Sequence, residues 1–210
     1  MVPSSCEPAK NGGIEPITRL FDHPPEIDPY KFRFEPFKSD SIAVKSFDCG
    51  NKDLNTFLTS DEVANYEHEL LGKTTLVFYN GTLVGYYTIS NGSLRTEYLK
   101  TWRSFTKAGE VHLNAIPCLI IGRLAVDKRW QNRGIGRAVM QRITIHALDC
   151  SKHAGIRLLV VQAKNQATEF YRKLGFDFVF ETSEEKKRYK TRNTRTMFFD
   201  LQELNYLRTT

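Results

Sequence analysis

The sequence lacks the usual marks of a membrane, metal or disulfide protein. Its longest apolar run, Ala115–Ile121, is far shorter than the roughly 18 residues that a membrane-spanning helix needs. The four cysteines form no CxxC pair, and the five histidines show no HExxH or paired-ligand spacing. Met1–Pro16 has neither a basic start nor an apolar segment. These absences predict reduced cysteines, no metal, no membrane contact, no secretory signal and a cytoplasmic protein.

The composition is that of a folded domain with unevenly distributed charge. The 210 residues include 14 Phe and 9 Tyr, and 40% of them are hydrophobic, which is enough for one substantial core. Residues 1–105 carry 11 basic and 14 acidic groups, whereas residues 106–210 carry 19 basic and 10 acidic groups. The second half therefore has the field that attracts a polyanion such as a nucleic acid.

Residues 1–31 are predicted to form a proline-rich N-terminal extension. Six of the eight prolines lie in the first 30 residues, and the pair Pro24-Pro25 favours an extended path over a helix. Residues 32–210 are predicted to form a single domain.

Within that domain, the hydrophobic pattern predicts alternating strands and helices. Strands are expected at Phe32–Phe34, Thr74–Tyr79, Thr82–Ile89, Ala115–Val126, Ile156–Val161, Asp177–Glu181 and Thr196–Leu201. Helices are expected over Asn51–Leu71 with Asn51 as the N-cap, from Ile135 to Ala147, and over Ala167–Leu174 with Gly175 as the C-cap. This order predicts a mixed α/β fold with at least one parallel pair of strands.

A glycine-containing turn, Gln131-x-x-Gly134-x-Gly136, follows the most hydrophobic strand and begins a helix. Unpaired N–H groups and the helix dipole favour an anion at such a turn, and Arg133 and Arg137 add positive charge. The same pattern also suits an ordinary tight strand–helix turn. It is not a dinucleotide GxGxxG motif, because the third residue after Gly136 is Val139.

A second motif runs from Asn165 to Phe176, where Ala167, Phe170 and Tyr171 share one helix face. Taken alone, Tyr171 could be a core aromatic whose hydroxyl reaches water. In this order and spacing, however, the two motifs resemble the GNAT family of N-acetyltransferases. The resemblance covers Phe34 to Leu201. Phe47–Leu58 and the strand around Gly85–Tyr87 are similar to the branch of toxins that acetylate aminoacyl-tRNA.

The resemblance implies a mixed α/β (α+β) fold of the GNAT type. Its central sheet would be mostly antiparallel, with one splayed parallel pair and helices on both faces. It implies acetyl-CoA as the acetyl donor, without a metal. Tyr171 would be the general acid that protonates the leaving thiolate. The residues implied in binding acetyl-CoA are Leu124, Ala125, Val126, Arg133, Gly134, Ile135, Gly136, Arg137 and Asn165.

The protonation chemistry constrains the acceptor amine, because only a neutral amine attacks a thioester. An α-amino group has a pKa of about 8, whereas a lysine amine, at about 10.4, needs an explicit base. Apart from Asp127 and Glu169, no obvious Asp or Glu lies near the two motifs, and this scarcity of bases favours an acceptor of low pKa. A phenol protonates a thiolate uphill by about 2 kcal/mol in water. Either the site lowers the pKa of Tyr171, or a hydrogen bond to sulfur suffices.

A run of six basic residues, Lys186–Arg195, contains no acidic residue and suits a phosphate backbone, although a solvated hairpin connection is an equal alternative. The predicted tRNA contacts are Lys186, Lys187, Arg188, Lys190 and Arg192. Three functions are therefore weighed: a toxin that acetylates aminoacyl-tRNA, an acetyltransferase for a protein or small-molecule amine, and a binding module without catalysis. A toxin that acetylates aminoacyl-tRNA could have an antitoxin and a second copy of the chain as partners.

Overall fold

The computed structural model of the chain describes residues 27–38, 42–96, 99, 113–179 and 193–205. The strands are β1 (Phe32–Pro36), β2 (Lys73–Tyr79), β3 (Thr82–Arg95), β4 (Ala115–Val126), β5 (Leu158–Lys164), β6 (Asp177–Phe178) and β7 (Thr194–Asp200). The α-helices are α1 (Lys52–Thr59), α2 (Glu62–His68), α3 (Ile135–Cys150), α4 (Thr168–Lys173) and α5 (Gln202–Asn205). Short 3-10 helices span Pro29–Lys31, Ile42–Ser46, Lys128–Trp130 and Asn165–Ala167. Most of the proline-rich extension lies outside the described residues, so its boundary stays a prediction.

The strands form one seven-stranded sheet in the order β1-β2-β3-β4-β5-β7-β6. Every neighbouring pair is antiparallel except β4 and β5, which run parallel. The predicted mixed sheet with one parallel pair is therefore confirmed. Several strand boundaries differ from the sequence pattern, and the largest extensions are those of β3, which continues to Arg95 along β4, and β5, which continues to Lys164 along β7.

Helices cover both faces of the sheet. On one face, α3 and α4 bury Val139, Ile143 and Tyr171 in the largest core cluster. On the other face, α1 and α2 bury Phe57 and Val63 in a second cluster. Burial of these helix faces confirms the predicted layers.

Several local features follow directly from residue type. The side chain of Asn51 caps α1 by accepting a hydrogen bond from the amide of Leu54 at 3.3 Å. Asn80 and Gly81, with φ of 49° and 77°, form the tight turn between β2 and β3. Leu174 is the C-cap of α4, one residue before the predicted Gly175, and Gly175, with φ of 88°, follows it in the left-handed conformation. Among the described helices, none has the length and apolar character that crossing a membrane requires.

The functional feature of this sheet is a gap between its two parallel strands. The pairing of β4 with β5 stops at Ile121↔Val161, although each strand continues along its other neighbour. β4 stays paired with β3 as far as Val126, and β5 stays paired with β7 as far as Lys164. A register shift opposite Gly122 marks the point where β4 turns away from β5. The carboxyl halves of the two strands therefore form the walls of a cleft.

Candidate active site

Two cavities follow the cleft from one face of the sheet to the other. The first, of about 670 Å³, lies between the splayed strands and reaches Tyr171 as well as α1 and α2. The second, of about 610 Å³, lies at the glycine-containing turn before α3. The two cavities share four lining residues, Leu124, Val126, Gln131 and Ala167. They therefore form one passage that can hold an extended ligand with an anionic end and a reactive end.

The backbone of β4 supplies one wall of this passage. The amide of Asp127 donates to the carbonyl of Val84 on β3 at 2.9 Å, so the backbone N–H of Asp127 points towards β3 and away from the cleft. Because backbone groups alternate along a strand, those of Val126 and Leu124 face into the cleft. The Gln131 side-chain amide donates to the Val126 carbonyl and to the Cys49 carbonyl, both at 2.9 Å. Gln131 thus fixes the end of β4 against the opposite wall.

The turn before α3 allows a ligand to approach its backbone closely. Gly134, with φ of 84°, occupies the N-cap position, in a conformation that side chains disfavour. A Cβ atom at Gly136 would lie 3.2 Å from the ring of Phe170, so a larger residue would have to displace that ring. Arg137 and Lys173 also line this cavity. The first amides of the helix, which have no partner within the helix itself, and two cations therefore surround a space that suits a diphosphate.

The structure brings most of the predicted cofactor residues to these two cavities. Leu124, Ala125 and Val126 line the first cavity, and Gly134, Gly136 and Arg137 line the second. The other three predicted residues line neither cavity. The side chain of Ile135 is buried in the core, Arg133 stacks 5.4 Å from the ring of Trp130, and Asn165 contacts Asn193 at 3.4 Å.

Tyr171 lies in the wall of the first cavity and is 5% exposed. Its ring packs between those of Phe170 and Phe176, with centroid distances of 5.0 and 5.5 Å. This burial raises the pKa of Tyr171 far above its ordinary value. The hydroxyl therefore keeps its proton at neutral pH. Of the two alternatives for the leaving thiolate, this environment favours a hydrogen bond from an intact phenol over a lowered phenol pKa.

The two carboxylates near the motifs have structural partners. Asp127 is fully buried and bonded by both oxygens to the guanidinium of Arg129, at 2.8 and 2.9 Å. It also accepts a hydrogen bond from the amide of Asp48 at 3.3 Å, and these contacts hold its pKa below the usual range. Glu169 pairs with Arg172 on the exposed side of α4 at 3.6 Å. Neither carboxylate lines either of these two cavities, so neither is placed to deprotonate an acceptor there.

The segment before α1 supplies the opposite wall, through Cys49, Asn51 and Leu54. Asp48 holds this loop by accepting hydrogen bonds from the amide of Gly50 at 2.8 Å and the side chain of Asn55 at 2.7 Å. The sequence singled out this segment through its resemblance to the toxin branch, without assigning roles to its side chains. Its polar, turn-rich composition directly before a capped helix is the feature from which such roles could have been predicted.

Two cations that sequence reasoning missed also face the first cavity, Arg123 and Lys164. The guanidinium of Arg123 lies 3.5 Å from the ring centroid of Phe57 and pairs with Glu62 at 3.0 Å. The ammonium of Lys164 bonds the side chains of Asn51 at 3.0 Å and Asp53 at 3.2 Å. Among the described residues that line this cavity, none is Asp or Glu.

The predicted tRNA contacts lie outside the described residues. They are Lys186, Lys187, Arg188, Lys190 and Arg192. At the end of the same basic run, Arg195 is described, and its guanidinium lies 3.9 Å from the ring centroid of Phe178. No group of three or more potential metal ligands is found in the part of the chain that the structure describes.

Comparison with known proteins agrees with this architecture. The sequence profile of the acetyltransferase (GNAT) domain matches residues 72–177, about half of the chain. The chain therefore belongs to the GNAT family and is an acetyltransferase, as its motifs predicted.

Individual relatives are toxins. The chain is 29% identical over 145 residues to a tRNA-acetylating toxin of Mycobacterium tuberculosis, covering 67% of this chain and 80% of the relative. It superimposes on AtaT complexed with acetyl-methionyl-tRNAfMet with a TM-score of 0.69 and 24% identity, covering 84% of this chain and 98% of AtaT. A phenylalanine variant of AtaT, bound to the C-terminus of the antitoxin AtaR and acetyl-CoA, gives a TM-score of 0.62 at 24% identity, covering 85% and 99% of the two chains. These structural likenesses establish the GNAT fold.

Proposed function

We propose that this enzyme transfers the acetyl group of acetyl-CoA to the α-amino group of aminoacyl-tRNA and thereby blocks translation. The observation that carries the proposal is the passage through the splayed strands. One of its ends suits a diphosphate, and the other carries two cations and no carboxylate in the part of its lining that the structure describes. A donor and an acceptor can therefore meet from opposite faces of the sheet beside Tyr171.

On the donor side, the turn at Gly134–Gly136 would hold the diphosphate of acetyl-CoA through its amides, with Arg137 and Lys173 balancing the charge. Ala125, Leu124 and Val126 would flank the extended arm of the coenzyme. A cleft-facing amide of β4 would polarise the thioester carbonyl as its oxygen gains negative charge. Arg133, Ile135 and Asn165 line neither cavity, so their share in binding would be indirect.

On the acceptor side, the cavity favours an amine that is already neutral. No described residue that lines this cavity is a carboxylate that could stabilise an ammonium group or remove its proton. A lysine amine, with a pKa of about 10.4, would be mostly charged at neutral pH, whereas an α-amino group near 8 would not. An aminoacyl ester therefore fits this chemistry better than a protein lysine.

The transfer itself needs one proton donor. The neutral amine attacks the thioester carbon, the carbon–sulfur bond breaks, and the nitrogen loses a proton to water. The phenol of Tyr171 would donate a hydrogen bond or its proton to the departing sulfur, and a phenolate formed in this way would regain a proton from water. Because burial raises the pKa of this phenol, it stays protonated at neutral pH, and a hydrogen bond to the sulfur is favoured over complete proton transfer.

The relatives support the tRNA substrate and suggest partners. One relative is a tRNA-acetylating toxin, and AtaT has been seen with acetyl-methionyl-tRNAfMet and with the C-terminus of the antitoxin AtaR. The basic residues Lys186, Lys187, Arg188, Lys190 and Arg192 are our proposed tRNA contacts. An antitoxin protein is the partner that a toxin of this kind requires.

The decisive experiment supplies labelled acetyl-CoA with total aminoacyl-tRNA and identifies acetylated aminoacyl-adenosines by mass spectrometry after nuclease digestion. We expect one or a few acetylated species, and growth arrest on expression that Tyr171→Phe relieves. Acetylation of lysine peptides or polyamines, without any acetylated aminoacyl-adenosine, would instead identify a protein or small-molecule acetyltransferase.

A further inference from the structure

One polar bridge spans the open end of the cleft on its acceptor side. Lys164 is the last residue of β5, three positions beyond the last pair with β4. Its ammonium donates to the Asn51 side-chain oxygen at 3.0 Å and to the Asp53 carboxylate at 3.2 Å. Asn51 is the N-cap of α1 and Asp53 lies in its first turn, on the other wall. A single lysine therefore links the two walls where an acceptor must enter.

The bridge is weak enough to exchange partners. The side chain of Asp53 is 84% exposed and that of Lys164 is 31% exposed, so water screens their attraction. Exposed ion pairs of this kind contribute about 0–1 kcal/mol. The Asn51 oxygen also caps α1 through the amide of Leu54, so it has a second donor when Lys164 leaves. An incoming anion can therefore replace Asp53 at small cost.

We propose that Lys164 binds a phosphate at the 3′ end of the acceptor nucleic acid, exchanging the Asp53 carboxylate for it. This inference rests on the proposed function, because an aminoacyl-tRNA carries its nearest anion on the terminal nucleotide. Arg123 is less suited to this role, since it is stacked on Phe57 and paired with Glu62. Lys164 is thus an acceptor-binding residue, with Asn51 and Asp53 holding its ammonium at the cleft before the acceptor arrives.

The test compares Lys164→Met with Lys52→Met. Both changes remove one positive charge, but Lys52 is exposed at the start of α1 and lines neither cavity. For Lys164→Met we expect the KM for aminoacyl-tRNA to rise about tenfold, with kcat within twofold, as for loss of a charged hydrogen bond. The slope of log KM against log salt should fall by about 0.7, one single-strand phosphate contact. Lys52→Met should leave KM within twofold, and Lys164→Arg should restore most of the lost affinity.

A phosphate-free acceptor isolates the contact. With aminoacyl-adenosine, which carries the same amine without a phosphate, Lys164→Met should behave like the wild-type enzyme. Asp53→Asn, which removes the competing carboxylate, should lower the KM for aminoacyl-tRNA about twofold. An equal effect of Lys164→Met on both acceptors, or no effect on either, would overturn the phosphate assignment.

Direct binding separates this inference from the proposed function. A labelled CCA trinucleotide should bind the wild-type enzyme more tightly than Lys164→Met, measured by fluorescence anisotropy at low salt. If trinucleotide binding depends on Lys164 while no aminoacyl-tRNA is acetylated, the phosphate site stands and the proposed function fails. If aminoacyl-tRNA is acetylated but Lys164→Met changes neither trinucleotide binding nor the KM for aminoacyl-tRNA, the proposed function stands and this inference fails.

Discussion

The two ends of the β4–β5 pair differ in how they are closed. At the amino-terminal end, the strands are hydrogen-bonded, and Arg157 is joined to the buried Asp200 by two contacts of 2.5 and 2.8 Å. The amide of Arg157 also donates to the carbonyl of Pro117, and the amide of Leu201 donates to the carbonyl of Arg157. At the carboxyl-terminal end the strands separate, and the exposed bridge from Lys164 spans the gap.

This difference divides stability from activity along a single pair of strands. Loss of one partner from a buried, doubly bonded ion pair strongly destabilises the fold, whereas loss of one partner from an exposed pair does not. The closed end therefore anchors the sheet, and the open end can exchange its contacts with substrates. Substitutions at the open end should change kinetics with little change in folding, and substitutions at the closed end should do the reverse.

The largest effect that tests this division is expected from Tyr171→Phe at the open end. We expect kcat to fall at least 100-fold, because general acid catalysis commonly contributes a factor of 10² to 10⁴. The raised pKa of Tyr171 adds a pH signature. In the wild-type enzyme, kcat/KM should rise as the acceptor amine deprotonates near pH 8, and no loss from phenol ionisation should follow up to pH 10.

The control for Tyr171→Phe is its stability and its affinity for acetyl-CoA. The phenylalanine ring keeps the packing against Phe170 and Phe176, so the Tm and the Kd measured by calorimetry should stay close to wild type. A loss of acetyl-CoA binding equal to the loss of activity would assign the hydroxyl to binding rather than to proton donation.

Most residues predicted for the donor half of the site line the two cavities. Gly134, Gly136 and Tyr171 could be picked out from the sequence because the roles proposed for them need a particular residue type at a fixed spacing from a strand or helix. The strand Ala115–Val126 and the cap at Asn51 were likewise predicted with their observed boundaries, since local pattern alone determines them. Such features depend on neighbours in the chain, which a sequence shows directly.

The acceptor half depends on contacts between distant segments. Lys164 is hydrogen-bonded to Asn51, which is 113 residues away in the sequence, and Gln131 is hydrogen-bonded to Cys49, which is 82 residues away. Asp127 looked like a candidate base near the motifs, but its buried ion pair with Arg129 makes it structural. The splay itself arises because two strands keep different outer partners, which no local pattern encodes.

At the closed end, Arg157→Met should be the most destabilising change. It would leave the Asp200 carboxylate, whose side chain is 3% exposed, without its guanidinium partner. We expect a loss of about 3 kcal/mol in the free energy of unfolding, measured with urea, and unchanged kcat and KM in the folded enzyme. Lys152→Met breaks an exposed pair with Asp149 and should cost less than 1 kcal/mol. A large kinetic defect in Arg157→Met would break the proposed division.

A smaller effect is expected from Gly134→Ala at the open end. Alanine in the left-handed conformation costs about 1–2 kcal/mol, and relief of that strain would move the amides of the turn. We expect the Kd for acetyl-CoA to rise about tenfold, a change of 1.4 kcal/mol. Gly155→Ala, near the closed end, meets no atom closer than 3.9 Å and should leave the Kd unchanged. Equal Kd values for the two variants would show that the turn does not contact the coenzyme.

The smallest expected effect is a pH-dependent one from Glu203 at the closed end. Burial and the neighbouring Asp200 and Asp177 raise the pKa of Glu203 from 4.5 to about 7. The folded protein therefore binds this proton more tightly than the unfolded chain, and the resulting stability is lost as the pH rises through 7. At pH 8 the free energy of unfolding of Glu203→Gln should exceed that of the wild type by about 1 kcal/mol, after allowing for solvent screening. At pH 5 the two free energies should be nearly equal. Glu169→Gln, on the exposed side of α4, should show no such crossover. If the stability curves of Glu203→Gln and wild type run parallel between pH 5 and 8, the pKa of Glu203 is not raised on folding. The repulsion from Asp200 and Asp177 would then not lower the stability of the closed end.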